Sequence, residues 1–555
     1  NAFKLDDKLT PIYPSIDGIQ TGRLRNLVGQ AIEIMRKSEP NEYLPENILK
    51  EIKMPSLREA LINLHQPPAN LKHADISHAI KHYKERLSFE ELLANYISLR
   101  RLRLLAANTA ADSLQLGKDK VNQFVRTLKF ELTASQKQVC NEIVADLNKS
   151  QPMMRMLQGD VGSGKTVVAA IACLKTIMNK KQAAIMAPTE LLTEQHMESF
   201  SAWFIKLDIK IVKLTGGQKK STRDNNLRQI KQGEANLVIG THALFQEGVI
   251  FKDLALIVID EQHRFGVNQR VALREKGSQF KKQPHQLIMT ATPIPRTLAM
   301  AAYADLDSSI IDELPVGRKA VETLVIPNDK RPSVIERVKN ACTKGQQAYW
   351  VCPLIDESES IKADAATDRY EYLKKIIKPL KIGLVHGRQK QAEKEKTMRL
   401  FKEAKIDLLV ATTVIEVGVN IPNASLMIIE NAERMGLTQL HQLRGRVGRG
   451  NQQSHCILLY KKPLGSLAYD RLSILRETND GFIIAQKDLE LRGPGELLGT
   501  KQTGLPQYRI ADLLRDAHLL PKVQKIAEIM MQDFPNKTNK IIMRWANDNQ
   551  EYGKV

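Results

Sequence analysis

Gly159, Gly164, Lys165 and Thr166 sit in the stretch LQGDVGSGKTVVA with the spacing G-x-x-x-x-G-K-[ST]. That spacing suits a loop whose backbone N–H groups curl around phosphates. Asp160, Gly162 and Ser163 complete the loop, so 159–166 is the expected nucleotide-phosphate site. Lys165 would reach the β- and γ-phosphates, and the Thr166 hydroxyl would hold Mg²⁺. About 100 residues on, an apolar run ends in Asp260-Glu261-Gln262-His263. A carboxylate at the C-terminal end of a buried strand lies where such a sheet presents its ligands. Asp260 is therefore a second expected Mg²⁺ ligand. Glu261 is the group that would orient and deprotonate an attacking water, and His263 would sense the γ-phosphate. Hydrolysis of a nucleoside triphosphate is the chemistry these residues fit.

Upstream, Phe130 and Gln136 flank a Thr-Ala-Ser turn. A carboxamide matches the adjacent N7 acceptor and N6 donor of adenine. Gln136 is thus a candidate adenine reader with Phe130 packing near the base, and Thr133 is equally a helix start. Far downstream, Gln442-Leu-Arg-Gly-Arg446-Val-Gly-Arg449 spaces basic residues three apart. On a helix start these would share a face. Arg446 and Arg449 are then candidate arginine fingers reaching across a cleft with Gln442 beside them; a basic loop facing DNA is the alternative. Thr290 and Thr292 close another apolar run, and Glu416 and Gly418 follow one more. Their positions suit linking a carboxylate pair to a nucleic-acid side.

The elements that must position these residues follow from the hydrophobic pattern. Short apolar runs at 153–157, 183–187, 211–214, 236–239, 254–259 and 286–289 alternate with helical stretches. A second series runs 348–351, 382–385, 407–411, 426–429 and 455–460, with no phosphate loop of its own. Each series predicts an α/β lobe around a parallel sheet. The expected divisions are an extended segment over 1–22, a helical region over 23–124, lobes over 125–314 and 315–470, and a helical tail over 471–555. Ser56 and Glu59 are spaced as a capping box. Arg100, Arg101 and Arg103 cluster near the end of the helical region, as DNA contacts or as a solvated face.

A formal charge of +20 points to a polyanionic partner, with nucleic acid first. The five cysteines are scattered with no C-x-x-C pair, which argues against a zinc site or a disulfide framework. That usage fits a reducing, cytoplasmic setting. No apolar run approaches the roughly 20 residues of a membrane helix, so no membrane partner is expected.

The ordered stretches GDVGSGKT, APTELL, GTHAL, DEQH, TATP, TTVIEVGV and QLRGRVGR resemble superfamily 2 helicases. DEQHRFGV, TATPIPRT and the block from Arg476 to Gly499 are more narrowly similar to the RecG family of ATP-dependent DNA helicases. The resemblance implies two RecA-like lobes with ATP and Mg²⁺ between them and a C-terminal helical hairpin coupling hydrolysis to movement on duplex DNA. It implies a monomer acting on branched DNA (stalled forks and Holliday junctions) in repair and recombination, with a single-strand-binding protein as a further partner. Arg476, Gln486 and Arg492 fall in the implied translocation motif. Two features depart from the family pattern. Only the trailing segment of the N-terminal OB-fold wedge, LTPIYPSIDGIQ, is expected here, and Asn420 stands where an aspartate is usual. A transcription–repair translocase would need a polymerase-binding domain, an RNA helicase would lack the 476–507 block, and an inactive DNA-binding remnant would not keep Lys165, Asp260, Glu261 and Arg446.

Overall fold

The computed structural model describes residues 12–13, 20–67, 73–107, 109–246, 248–261, 282–290, 306–315, 319–352, 359–412, 421–448, 450, 452–496, 508–513 and 515–545. Helices α1 (Thr21–Lys37), α2 (Glu46–Ile52), α3 (Leu57–His65) and α4 (His73–Ala107) come first. At α3 the Ser56 hydroxyl accepts the Glu59 N–H, as the sequence suggested. The first lobe comprises β1 (Met154–Gly159), β2 (Gln182–Met186), β3 (Ile211–Leu214), β4 (Leu237–Gly240), β5 (Leu254–Asp260), β6 (His285–Thr290) and β7 (Asp307–Ile311). Its helices are α5 (Lys118–Thr127), α6 (Ala134–Leu147), α7 (Lys165–Met178), α8 (Glu190–Phe204) and α9 (Lys220–Gln232).

These strands form one parallel sheet in the order β3-β4-β2-β5-β6-β1-β7. Strands buried on both faces read as near-continuous apolar runs, which is why the central ones were legible. β7, reading DSSII, was not anticipated: it is an edge strand with an alternating half-buried pattern. Leu114 and Phe124 are buried in this lobe's core, so the lobe reaches back past the expected boundary at 125.

The second lobe contains β8 (Glu322–Pro327), β9 (Gln347–Val351), β10 (Ile382–Val385), β11 (Leu408–Ala411), β12 (Ala424–Ile429) and β13 (His455–Tyr460). Their order is β10-β11-β9-β12-β13-β8, again parallel. β8, the other unanticipated strand, is also at an edge. The helices here are α10 (Arg331–Thr343), α11 (Glu359–Ile376), α12 (Gln391–Lys402) and α13 (Leu437–Arg444).

The tail over 471–555, expected as a translocation hairpin and a C-terminal helical segment, packs in two places. Helices α14 (Ser466–Glu477) and α15 (Gly481–Glu496) place Leu472, Leu475 and Ile484 in the second lobe's core. By contrast, α16 (Leu520–Asp533) and α17 (Pro535–Trp545) pack on α4. Val523, Ile526, Met530 and Ile541 share a core with Ile48, Leu93 and Ile97. The sequence separation of these partners is why pattern reading could not join them. Glu91 fastens the union by accepting the N–H groups of Arg509, Ile510 and Ala511. Arg101 and Arg103 are structural here: Arg101 reaches Asn539, and Arg103 pairs with Asp307 of β7 at 2.6 Å.

Beneath this union lies a buried charge cluster. Glu90 accepts from Arg86 at 2.7 Å, Arg544 at 2.6 Å and Trp545 Nε1 at 3.1 Å. Burial pushes the Glu90 carboxyl up, but the two guanidiniums outweigh it and hold it below the usual carboxylate range. Its stabilising contribution is therefore full above the unfolded carboxyl pKa and is lost as pH falls through the lower folded value. Glu90→Ala leaves the fully buried Arg86 with only Glu42 as a carboxylate partner and removes the acceptor of Arg544, and should cost about 3 kcal/mol in urea unfolding followed by tryptophan fluorescence. A loss under about 1 kcal/mol would show that the pair does not clasp the two chain segments. Among the described residues, no helix is long and apolar enough to cross a membrane.

Candidate nucleotide site and its coupling to the hairpin

The phosphate loop leaves β1 at Gly159 and enters α7 at Lys165. Gly162 and Gly164 take φ of 77° and 88°, backbone that favours glycine. A Cβ on Gly159 would lie 2.5 Å from Ser163 Oγ, so the loop closes tightly only over glycine. Lys165 is buried, and its ammonium donates to the carbonyls of Gly159 at 2.7 Å and Asp160 at 2.9 Å. Ser163 Oγ is buried with no hydrogen-bond partner among the described residues. A glycine cradle, a buried ammonium and an orphan hydroxyl fit a polyphosphate.

Gln136 sits under this loop rather than at its rim. It is 2% exposed, forms a capping box with Thr133 on α6, and donates from Nε2 to the Ser163 carbonyl at 2.7 Å. The helix cap is present, and the same carboxamide holds the phosphate loop through the Ser163 carbonyl. Each amide atom can take one further hydrogen bond. Phe130 is exposed on the approach to the turn.

β5 delivers Asp260 and Glu261 at its C-terminal end. Glu261 is buried and holds φ of 54°, a strained conformation for a non-glycine residue of the kind that clusters at functional sites. His196 was not anticipated from the sequence. It lies on the buried face of α8, and its Nε2 meets Asp260 Oδ2 at 2.9 Å. The one available signal was its place on an apolar helix face beside Thr193 and Phe200. Thr290 ends β6 and is buried. His263, Thr292, Glu416, Gly418, Asn420 and Arg449, with the side chain of Arg492, lie outside the described residues.

Across the cleft, α13 ends at Arg444, and Gly445 is its C-cap. Arg446 thus follows a helix instead of starting one. Arg446 is 2% exposed, and Gln442 is half-buried on α13. Gly445 lies against the phosphate loop, where a Cβ would come within 3.0 Å of Val161.

The lobes are also joined by a polar path that the motifs did not reveal. His441 on α13 meets Asp160 Oδ1 at 2.8 Å through Nε2. Arg444 approaches His441 Nδ1 at 2.9 Å. A guanidinium only donates, so Nδ1 accepts and Nε2 carries the proton given to Asp160. Burial pushes the Asp160 carboxyl up, yet the His441 hydrogen bond, with the Val161 amide and the Lys165 charge, outweighs it and holds it below the ordinary value. Arg444 continues the path by donating to the carbonyls of Leu475 at 2.7 Å and Thr478 at 2.9 Å. Those carbonyls close α14, where the chain turns into α15. A second tie runs from Thr438 Oγ1 to Asp488 on α15 at 2.5 Å. Arg476 and Gln486 are exposed on the two arms. Among the described residues, no group of three or more His, Cys, Asp or Glu side chains is arranged to hold a metal ion.

Comparison with known proteins agrees with this architecture. Residues 133–301 match the DEAD/DEAH box helicase model, and 333–451 match the helicase conserved C-terminal domain. Residues 478–548 match the model described as ATP-dependent DNA helicase RecG, domain 3, C-terminal. The chain is 52% identical to the ATP-dependent DNA helicase RecG of Haemophilus influenzae, covering 99% of this chain and 79% of that protein. It is likewise 52% identical to that of Escherichia coli K12, covering 100% and 80%. The structure of RecG bound to a three-way DNA junction superposes with a TM-score of 0.72 at 40% identity, over 92% of this chain and 66% of that one.

Proposed function

The chain belongs to the RecG family of ATP-dependent DNA helicases, and from that premise we propose that it hydrolyses ATP between its lobes to move along duplex DNA at branch points. The observation that carries this reading is the continuous path from Asp160 through His441 and Arg444 to the carbonyls of Leu475 and Thr478. It gives the phosphate loop a rigid mechanical connection to the hairpin. Loss of the γ-phosphate then alters the loop, and the helices that contact DNA feel the change.

Lys165 and the loop amides bind the phosphates, Gln136 contributes to adenine contacts, and Arg446 neutralises charge on the transferring phosphoryl. Thr166 and Asp260 would hold Mg²⁺, which supplies charge neutralisation on the β- and γ-phosphates. Glu261 orients the attacking water and takes its proton, with His196 holding Asp260 beside it. Duplex DNA is followed through its phosphates; the buried hydroxyls of Thr241 and Thr412, which have no hydrogen-bond partner among the described residues, lie at strand ends suited to such contacts. One chain contributes both lobes and the hairpin, so a monomer suffices.

The reading is tested by measuring ATP turnover with duplex DNA, a three-way DNA junction and single-stranded RNA. Both DNAs should stimulate hydrolysis by about tenfold or more, with the effect falling steeply between low and moderate salt. Stimulation by RNA alone would refute it.

A further inference from the structure

The segment joining the two lobes begins at the nucleotide site. β7 pairs with β1, bringing Ile311 level with Gly159. Two residues later Glu313 overhangs the N-terminus of α6. Its Oε2 accepts the Ser135 N–H at 3.2 Å, and the Ala134 N–H and the Thr133 hydroxyl also donate to it. These donors, the Ser135 amide foremost, hold its carboxyl below the usual range although it is exposed. The same helical turn carries Gln136, whose amide grips the Ser163 carbonyl inside the phosphate loop. Lower on α6, Glu142 bonds Ser309 of β7, so strand and helix are tied at two levels.

The far end of the joining segment meets the other half of the site. Val321 is buried in the second lobe's core. A Cβ on Gly448 would come within 2.7 Å of it, two residues beyond Arg446. Ile311 therefore lies against Gly159 of the phosphate loop, Glu313 holds the first turn of α6, and Val321 lies against Gly448 beyond Arg446.

We infer that Glu313 is a positioning residue that transmits movement of the second lobe to the phosphate loop, through the α6 turn and Gln136. Its carboxylate makes the turn follow the interlobe segment. Without it, the segment can shift while α6 and Ser163 stay still. The inference rests on the reading of this chain as a DNA-stimulated ATPase. The Glu313 carboxylate bonds the first turn of α6, away from the end of β5, so its loss acts on coupling rather than on the hydrolytic step.

Glu313→Ala should leave DNA-independent ATP turnover within about twofold of the parent and lower the stimulation by duplex DNA at least about fivefold. Glu313→Gln keeps an acceptor for the Ser135 amide and should retain most of the stimulation. Parental stimulation in Glu313→Ala, or an equal fall in basal and stimulated rates, would overturn the inference. Amide hydrogen exchange offers a readout that needs no DNA. Glu313→Ala should speed exchange at residues 135–136 and at the phosphate loop over 160–164. Unchanged exchange in the loop overturns the inference by itself. A parent chain that no DNA stimulates, with exchange still responding to Glu313→Ala, would instead sink the proposed function and leave the link between Glu313 and the loop standing.

Discussion

Lys165→Ala should lower ATP turnover by about three orders of magnitude, roughly 4 kcal/mol of transition-state stabilisation, while duplex DNA binding stays within about twofold. The size follows from where the ammonium lies. It is buried at the floor of the glycine cradle and bonded to the carbonyls of Gly159 and Asp160. Its removal takes away the positive charge nearest the expected phosphates and leaves both carbonyls short of a donor. DNA binding should persist because the exposed hairpin residues Arg476 and Gln486 lie on other elements. Steady-state hydrolysis at saturating ATP, beside fluorescence anisotropy with a labelled duplex, checks both halves. Turnover near the parental rate would end the assignment of this loop as the hydrolytic site.

Arg446→Ala should reduce kcat by about 10³-fold and change ATP affinity by less than about fivefold. A finger acts on charge that develops in the transition state, so its loss appears in the rate and not in ground-state binding. Arg446 is buried at the lobe junction, one residue after the glycine that packs against Val161 of the phosphate loop. Single-turnover hydrolysis and equilibrium binding of a fluorescent ATP analogue separate the two quantities. A large loss of affinity with kcat intact would reassign Arg446 to nucleotide binding.

The phosphate loop and the carboxylate pair were legible because their chemistry demands contiguous residues. Gly159 to Thr166 must be adjacent in the chain to curl around one phosphate group, and Asp260-Glu261 must sit at one strand end. The central strands were legible for a related reason, since burial on both faces leaves a run of apolar residues such as Leu254 to Ile259. The edge strands β7 and β8 escaped because only part of each is buried. Reading Arg446 as part of a helix start failed because spacing alone does not tell the last turn of a helix from the first; α13 ends at Arg444, two residues before it.

What the sequence by itself determined was the class of enzyme: an ordered set of motifs expected to bind and cleave a nucleoside triphosphate, and two sheets to hold them. What only the tertiary structure decided was the wiring. His196 beside Asp260, His441 beside Asp160, Arg444 on the carbonyls of Leu475 and Thr478, and Glu313 on the α6 turn are contacts between distant chain segments. Each is a lone polar residue on an otherwise ordinary helix or loop, with no spacing rule to mark it. His441 meets Asp160 only where the lobes pack against each other, and the other partners are set by packing within a lobe, which no local pattern encodes.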